Sequence, residues 1–342
     1  MKKLILFILT ISIALSLAAC GEAKSASEQL FAMNTMMTLT AYGKNAEKGL
    51  ANARSVIVAL EAAVDPDLET STVYAINHAN GDSVAISGQI HEMLEDAMLL
   101  YERTDGSYDI TIYPLVERWG FTNDQHYVPS ANEIANDLSK LCMDQITINR
   151  FPTSGTYSVS IPYYGSLSFA SCAKGCASKY AIDAMRSAGV ESAVISLGGN
   201  VQTLGQKPDG SDWKIAVQDP YNESGYIATI SVGETAVVTS GSYQRYFVSN
   251  GTTYHHLISP KTGYPTTNGL VSVTIVCEDG TLADCLSTAM FVLGRKAALD
   301  YWRTYGGFDM IIINENHEIT CTSGLLERFD LKNSNYTLTF VE

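Results

Sequence analysis

The chain has 342 residues, with 22 Lys and Arg against 36 Asp and Glu, a net charge of −14 and 46% hydrophobic residues. That acidity disfavours nucleic acid and anionic membrane surfaces as partners, because both require clustered Lys and Arg. The length allows two domains. After Leu30, however, no Pro/Gly/Ser-rich linker, charge block or repeat divides the chain, so a single two-lobed unit is expected.

At the N-terminus Lys2 and Lys3 precede an apolar run from Leu4 to Leu15, closed by Leu17-Ala18-Ala19-Cys20. This pattern reads as a secretory signal with a small-residue cleavage site. The run is short for a bilayer span, which takes about 20 apolar residues. The Cys after Leu-Ala-Ala resembles a bacterial lipobox, which implies cleavage of residues 1–19, lipidation of Cys20 and an extracytoplasmic, membrane-anchored protein. Removing two lysines in that way moves the net charge to about −16. Residues 20–29 then read as the lipidated Cys and a short polar tether, with the folded domain over residues 30–342.

Beyond the tether the pattern mixes helices and strands. Leu50, Ala53, Ile57, Leu60 and Val64 recur by three and four, as on an amphipathic helix. Ile90, Met93, Leu94, Ala97 and Tyr101 predict a second helix, the Ser130-Ala131-Asn132-Glu133 capping box starts a third, and Ala177 to Ala188 describe a fourth. Strands are expected over 35–42, 145–149, 157–162, 192–197, 213–218, 226–231, 244–249, 271–277 and 309–314. Short turns such as Asn250-Gly251 between consecutive strands indicate antiparallel hairpins. The expected class is α+β, with mostly antiparallel sheets flanked by helices. The six cysteines beyond Cys20 show neither CxxC nor zinc-ligand spacing and read as small buried thiols.

Several segments carry chemistry. Leu282 to Met290 reads as a helix on which Asp284 and Thr288, four residues apart, share one face, with Gly294 as its stop. A stacked carboxylate and hydroxyl suit a small hard cation; a dipole-complementing Asp and a Thr bonded to its own backbone are the plainer alternative. In Thr104 to Thr111, the Asp105-Gly106 turn delivers Tyr108 and Asp109, either to pack on a flat heterocycle and bond its polar edge, or as a buried ring and a turn cap. At Phe169 to Gly175 a strand gives way to a helix start with small residues and Lys174, an arrangement that attracts phosphate. Lys179 and Asp183 form an expected structural i,i+4 pair.

Ser196-Leu197-Gly198-Gly199-Asn200 reads as a flexible turn without the GxGxxG pattern of a Rossmann site. Thr239-Ser240-Gly241 reads as a polar turn at a strand start, suited to offering backbone amides. His256, at a strand end before Pro260, is a candidate base, with a satisfied core histidine as the alternative. An acidic chain handling a phosphate compound also needs a cation or local basic residues.

Taken together these blocks resemble the FAD:protein FMN transferase (ApbE) family, in family order across residues 30–340. The matching blocks are Phe31 to Met37, Ser107 to Thr111 with Pro114-Leu115, Ala173-Lys174-Gly175 with Asp183, Ser196 to Asn200, Thr239 to Gly241, His256 to Pro265, and Ala283 to Ala289. The resemblance implies a T-fold-related architecture and a Mg2+-dependent transfer of FMN from FAD onto a Thr or Ser hydroxyl of a partner protein, with release of AMP. It places Mg2+ on Asp284, Thr288 and the carbonyl of Ser171. It also places FAD against Met33, Ser107, Tyr108, Asp109, Lys174, His256 and Ile258, with backbone contacts from Ser240 and Gly241. His256 and Asp284 are the candidate catalytic residues. The implied partner is an exported or membrane-bound electron-transport flavoprotein with a Ser/Thr-Gly-Ala-Thr type segment. An FAD pyrophosphatase and a non-catalytic FAD-binding lipoprotein are the alternatives. Asn34 and Ser259 stand where the family often has Gly and Asp, and the region near residue 65 lacks the family's aromatic.

Overall fold

The computed structural model describes residues 24–151 and 155–342, so the signal segment and Cys20 lie outside the described residues. Its backbone is a nine-stranded sheet whose spatial order follows the chain: Ser25–Ala32, Thr35–Tyr42, Ser192–Leu197, Asn200–Leu204, Ala236–Gly241, Leu270–Cys277, Asp309–Asn314, Glu318–Thr322 and Thr337–Val341. Neighbours are antiparallel except the last two, which are parallel. The architecture is therefore α+β with mostly antiparallel pairing, as expected. The strands expected over 35–42, 192–197 and 309–314 have those bounds.

Both faces of this sheet are covered, and side-chain alternation sorts the core into two layers. Leu39, Ile195, Val273, Ile275, Met310 and Ile312 point to one face, where they pack with the helices Ala46–Val64, Gly88–Arg103, Ala173–Ser187 and Gly280–Leu293. Val237, Val276, Ile311 and Ile313 point to the other face and meet a three-stranded sheet carrying Trp213, Ile215, Val217 and Ile230. Double coverage explains the unbroken apolar run Met310–Ile313, which is buried on both sides of the strand. A second lobe has its own small core of Leu115, Trp119, Phe121, Ile134 and Ile258.

Some expectations fail for local reasons. Residues 25–28, expected as tether, belong to the edge strand Ser25–Ala32; small polar residues pair there because the neighbouring strand supplies the register. Ser240 and Gly241 end a strand rather than start one, because Ala236-Val237-Val238 is too short a run to show alternation. The Gly198-Gly199 turn is a tight two-residue hairpin closed by Leu197 and Asn200, not a flexible turn. Both glycines have positive φ (59° and 101°), which suits the hairpin twist. Lys179 bonds Glu92 Oε1 and Asp279 Oδ2, each at 2.5 Å, instead of Asp183, which pairs with Arg186.

The Lys179 network anchors the Gly280–Leu293 helix. Asp279 caps that helix, its Oδ1 accepting from Thr281 and Leu282 N–H at 2.9 and 3.1 Å, while Thr281 Oγ1 donates to Glu92. Glu92, Asp96 and Asp279 crowd their oxygens within 4.8 Å of one another, and the Lys179 ammonium already serves this group as its cation. Burial, then the Asp279 and Glu92 charges, lift the Asp96 carboxyl to about 7 against the opposing pull of Lys179.

Two outcomes are expected. A Cβ at Gly175 would lie 2.1 Å from the Gly280 carbonyl oxygen and 2.5 Å from Asp284 Cβ. Gly175→Ala should therefore cost about 1–3 kcal/mol in urea denaturation, through forced separation of two helices. Asp96 keeps its proton in the fold up to about pH 7 but loses it near 3.8 when unfolded, so its contribution to stability declines as pH rises between those values. Asp96→Asn should melt close to wild type at pH 4 and above it at pH 8; a gap that does not change with pH would refute the assignment.

Candidate functional site

The site forms where the start of the Ala173–Ser187 helix meets the middle of the Gly280–Leu293 helix. Asp284 is not at the helix start, as the sequence had suggested, but one turn in; Asp279 holds the capping position. The two helices approach closely because glycines, Gly175 and Gly280, face each other at the crossing. Gly175 N–H donates to Asp284 Oδ2 at 2.7 Å. Gly175 stands in the first turn of its helix, where N–H groups have no intrahelical acceptor, so the Asp284 carboxylate caps that helix start. The Ser171 carbonyl, just before the helix start, takes no part in the helix's regular ladder of bonds.

Two of the side chains expected to offer oxygen ligands, Asp284 and Thr288, lie here one turn apart on the same helix. Asp284 is buried, and desolvation lifts its carboxyl to about 6 although the Lys174 charge, the Gly175 N–H and the Asn200 amide all pull it down. Thr288, half-buried one turn further on, meets Ser240 Oγ at 3.2 Å, and Ser240 Oγ meets Ser287 Oγ at 2.7 Å. Ser287 Oγ in turn donates to the Asp284 carbonyl at 2.9 Å. A carboxylate, a hydroxyl and a carbonyl make an all-oxygen donor set, which fits a hard divalent cation such as Mg2+. The penalty on the buried carboxylate is one a bound cation would relieve.

His256, on the second lobe, lies within reach of the Lys174 charge. Its Nδ1 lies 3.2 Å from the carbonyl oxygen of Arg245, an acceptor, so Nδ1 carries the hydrogen and Nε2 keeps its lone pair in the neutral ring. Burial, followed by the Arg245 charge and more weakly by His255 and Lys174, holds its pKa down to about 3. The ring is still partly open to solvent. His255 faces the other way, bonding Thr266 O at 2.9 Å and packing edge-on against Phe291. The core-histidine alternative therefore applies to His255.

Other expected residues serve the site differently. Tyr108 is buried, and its hydroxyl meets Ser171 Oγ at 2.9 Å; its ring offers no open face for a heterocycle and instead props the Ser171 turn. Asp109 Oδ1 accepts from Thr111 N–H and Oγ1 at 2.7 and 2.6 Å, the turn-cap alternative, and Asp109 borders a 310 Å³ cavity with Tyr101 and Lys261. Ser107 is buried beside them in the chain. The Ile258 side chain belongs to the second lobe's core, drawn there by Trp119 and Leu115, which leaves only its backbone for a ligand. Met33 sits at a hairpin tip with φ of 49°, its N–H on Glu61 Oε1 at 2.6 Å. Gly241 is pressed against the Tyr243 ring, 2.5 Å from where a Cβ would stand. A larger cavity of 690 Å³, between His91, Tyr157 and Arg150, touches none of the expected site residues.

Sequence reasoning missed Asn200, Arg245 and Ser287. Asn200 closes a Gly-Gly turn that looked ordinary, and Ser287 stands beside the Thr that drew attention. Arg245 is 11 residues from His256 and meets it only across a hairpin.

The chain is similar to known proteins over most of its length. The ApbE family profile matches residues 33–312. The FAD:protein FMN transferase of Klebsiella pneumoniae is 32% identical over 269 residues, covering 78% of this chain and 82% of the relative. That of Haemophilus influenzae is 30% identical over 314 residues, covering 88% and 90%. Among solved structures, the ApbE protein of Thermotoga maritima superposes with a TM-score of 0.81 at 28% identity, over 89% of this chain and 99% of that one. The flavin transferase ApbE of Vibrio cholerae, at 23% identity and a TM-score of 0.79 over 90% and 99%, shares the fold. A profile spanning most of the chain, full-length relatives and a matching fold converge: this protein belongs to the ApbE family and is a flavin transferase.

Proposed function

We propose that this enzyme binds FAD together with Mg2+, transfers the FMN half to a Thr or Ser hydroxyl of a partner protein, and releases AMP. The observation that carries the reading is the Gly175 N–H bond to Asp284, which fixes that carboxylate, one turn from Thr288 on its own helix, against the helix start formed by Ser171 and Lys174. Asp284, Thr288 and the Ser171 carbonyl would hold the ion; when bound, it draws negative charge off a diphosphate. Lys174 supplies the fixed positive charge that an acidic chain otherwise lacks for such a substrate.

His256 Nε2 is the acceptor for the proton of the attacking hydroxyl. As the new O–P bond to FMN forms, the P–O bond to AMP breaks and the hydroxyl proton moves to the imidazole. The ring is neutral but weakly basic without substrate; a diphosphate beside it favours the protonated form and raises its basicity. The acceptor is a protein with a Ser/Thr-Gly-Ala-Thr type segment. The Leu17 to Cys20 block supports a lipid anchor and an extracytoplasmic location. No helix among the described residues is long and apolar enough to cross a membrane.

The test is incubation of the purified protein with FAD, Mg2+ and a peptide carrying that segment, read by mass spectrometry. Covalent FMN on the peptide with equimolar AMP is expected; FMN and AMP free in solution would assign a pyrophosphatase, and neither product a binding protein. Asp284→Asn should lower the transfer rate on the order of 100-fold or more, since a metal contributes several kcal/mol of charge stabilisation. His256→Asn should lower kcat by roughly 10²- to 10⁴-fold with little change in KM for FAD. A wild-type kcat in that variant would remove His256 from proton transfer.

A further inference from the structure

We infer that Asn200 is a positioning residue for Asp284, its side-chain amide a donor reserved for the carboxylate when that group takes up a cation. This rests on the reading that Asp284 holds the metal. Asn200 is 1% exposed, and its Nδ2 completes no well-formed hydrogen bond, although it lies near enough to the Asp284 carboxylate to favour its charge. Leaving a buried donor unpaired is costly, so native proteins rarely tolerate it without a use. The neighbouring polar atoms at this strand–helix contact are paired: Gln202 Oε1 with Ser178 Oγ at 2.8 Å, Asp284 Oδ2 with Gly175 N–H at 2.7 Å, and Ser287 Oγ with the Asp284 carbonyl.

Register explains where the free amide points. Gln202 Oε1 lies 2.4 Å from where a Cβ on Gly280 would stand, so Gln202 marks the level of Gly280 on the facing helix. Two residues back along a strand is about 7 Å, and four residues along a helix is about 6 Å. Asn200, on the same face of the strand as Gln202, pairs with Val238, between Ala236 opposite Gln202 at the level of Gly280 and Ser240 at the level of Thr288, and so reaches the level of Asp284. The Gly198-Gly199 hairpin fixes the strand start, so the donor is held there before any ligand arrives. With Oδ2 held by Gly175, a donor on the opposite flank sets how far the carboxylate can rotate toward a cation.

The experiment titrates Mn2+ into the FAD-free protein, following free Mn2+ by electron paramagnetic resonance, for wild type, Asn200→Leu, Asn200→Ser and Asp284→Asn. Melting temperature and flavin-fluorescence titration with FAD are measured alongside. Asn200→Leu should weaken Mn2+ binding by about 10- to 100-fold, as loss of a ligand's hydrogen-bond partner does, while melting at or above wild type and keeping metal-free FAD affinity. Asn200→Ser, a shorter donor, should recover part of the loss, and it carries the comparison if the Leu variant does not fold. Unchanged Mn2+ affinity in both Asn200 variants, with Asp284→Asn losing it, overturns this inference alone. Unchanged affinity in Asp284→Asn overturns the metal reading beneath it. A parallel fall in melting temperature, FAD affinity and Mn2+ affinity would make Asn200 merely structural.

Discussion

Gly175 occupies its position only because it has no side chain. The backbone of one helix lies against the Gly280 carbonyl and the Asp284 Cβ of another, closer than any Cβ would allow. From that contact follow the capping of the helix start by a carboxylate, through the Gly175 N–H, and the burial that raises the Asp284 carboxyl. Hydrogen-bond geometry and desolvation are in this sense one constraint. It is imposed by helix packing rather than by any residue acting alone.

The rest of the fold holds those two helices in place. The sheet presents one face to both, and Gln202, on its strand from Asn200 to Leu204, bonds Ser178 of the Ala173–Ser187 helix and lies against Gly280 of the other. At the start of that helix, Asp279 caps the backbone and shares Lys179 with Glu92, so a third helix is tied in by charge as well as by packing. The crowding of carboxylates there is an electrostatic cost of fixing the helix end, borne about one turn from Asp284. The second lobe contributes His256 from outside this frame, oriented by the Arg245 carbonyl, while the Arg245 guanidinium bonds the Phe121 carbonyl. The ring is thus held as a neutral acceptor, in the tautomer that proton removal would need.

Legibility in the sequence followed the range of the interactions. Helices with several turns of apolar periodicity, such as Ala46–Val64 and Gly88–Arg103, were readable because the pattern repeats within the element. The short strand Ala236–Gly241 was not, since burial on both faces removes the alternation that marks a strand. The helix Arg295–Tyr305 escaped notice because Gly294 both ends one helix and opens the next. Among site residues, Asp284 with Thr288 stood out through helical spacing, which is local. Tyr108 and Asp109 looked like ligand contacts only because their true partners, Ser171 across 63 positions and Thr111 in the next turn, are not marked by any motif.

By itself, then, the sequence determined the α+β class, the acidic balance, the principal helices and the residue types able to carry oxygen-ligand and proton chemistry. It did so because composition, periodicity and i,i+4 spacing are properties of short segments. Tertiary structure alone decided that Asp284 caps the helix start at Gly175, that the Asn200 amide is buried beside Asp284, and that His256 rather than His255 lies within reach of the Lys174 charge. Each of those facts joins groups tens of positions or more apart in the chain, or depends on which side of a strand is covered. Both are settled only when the layers pack.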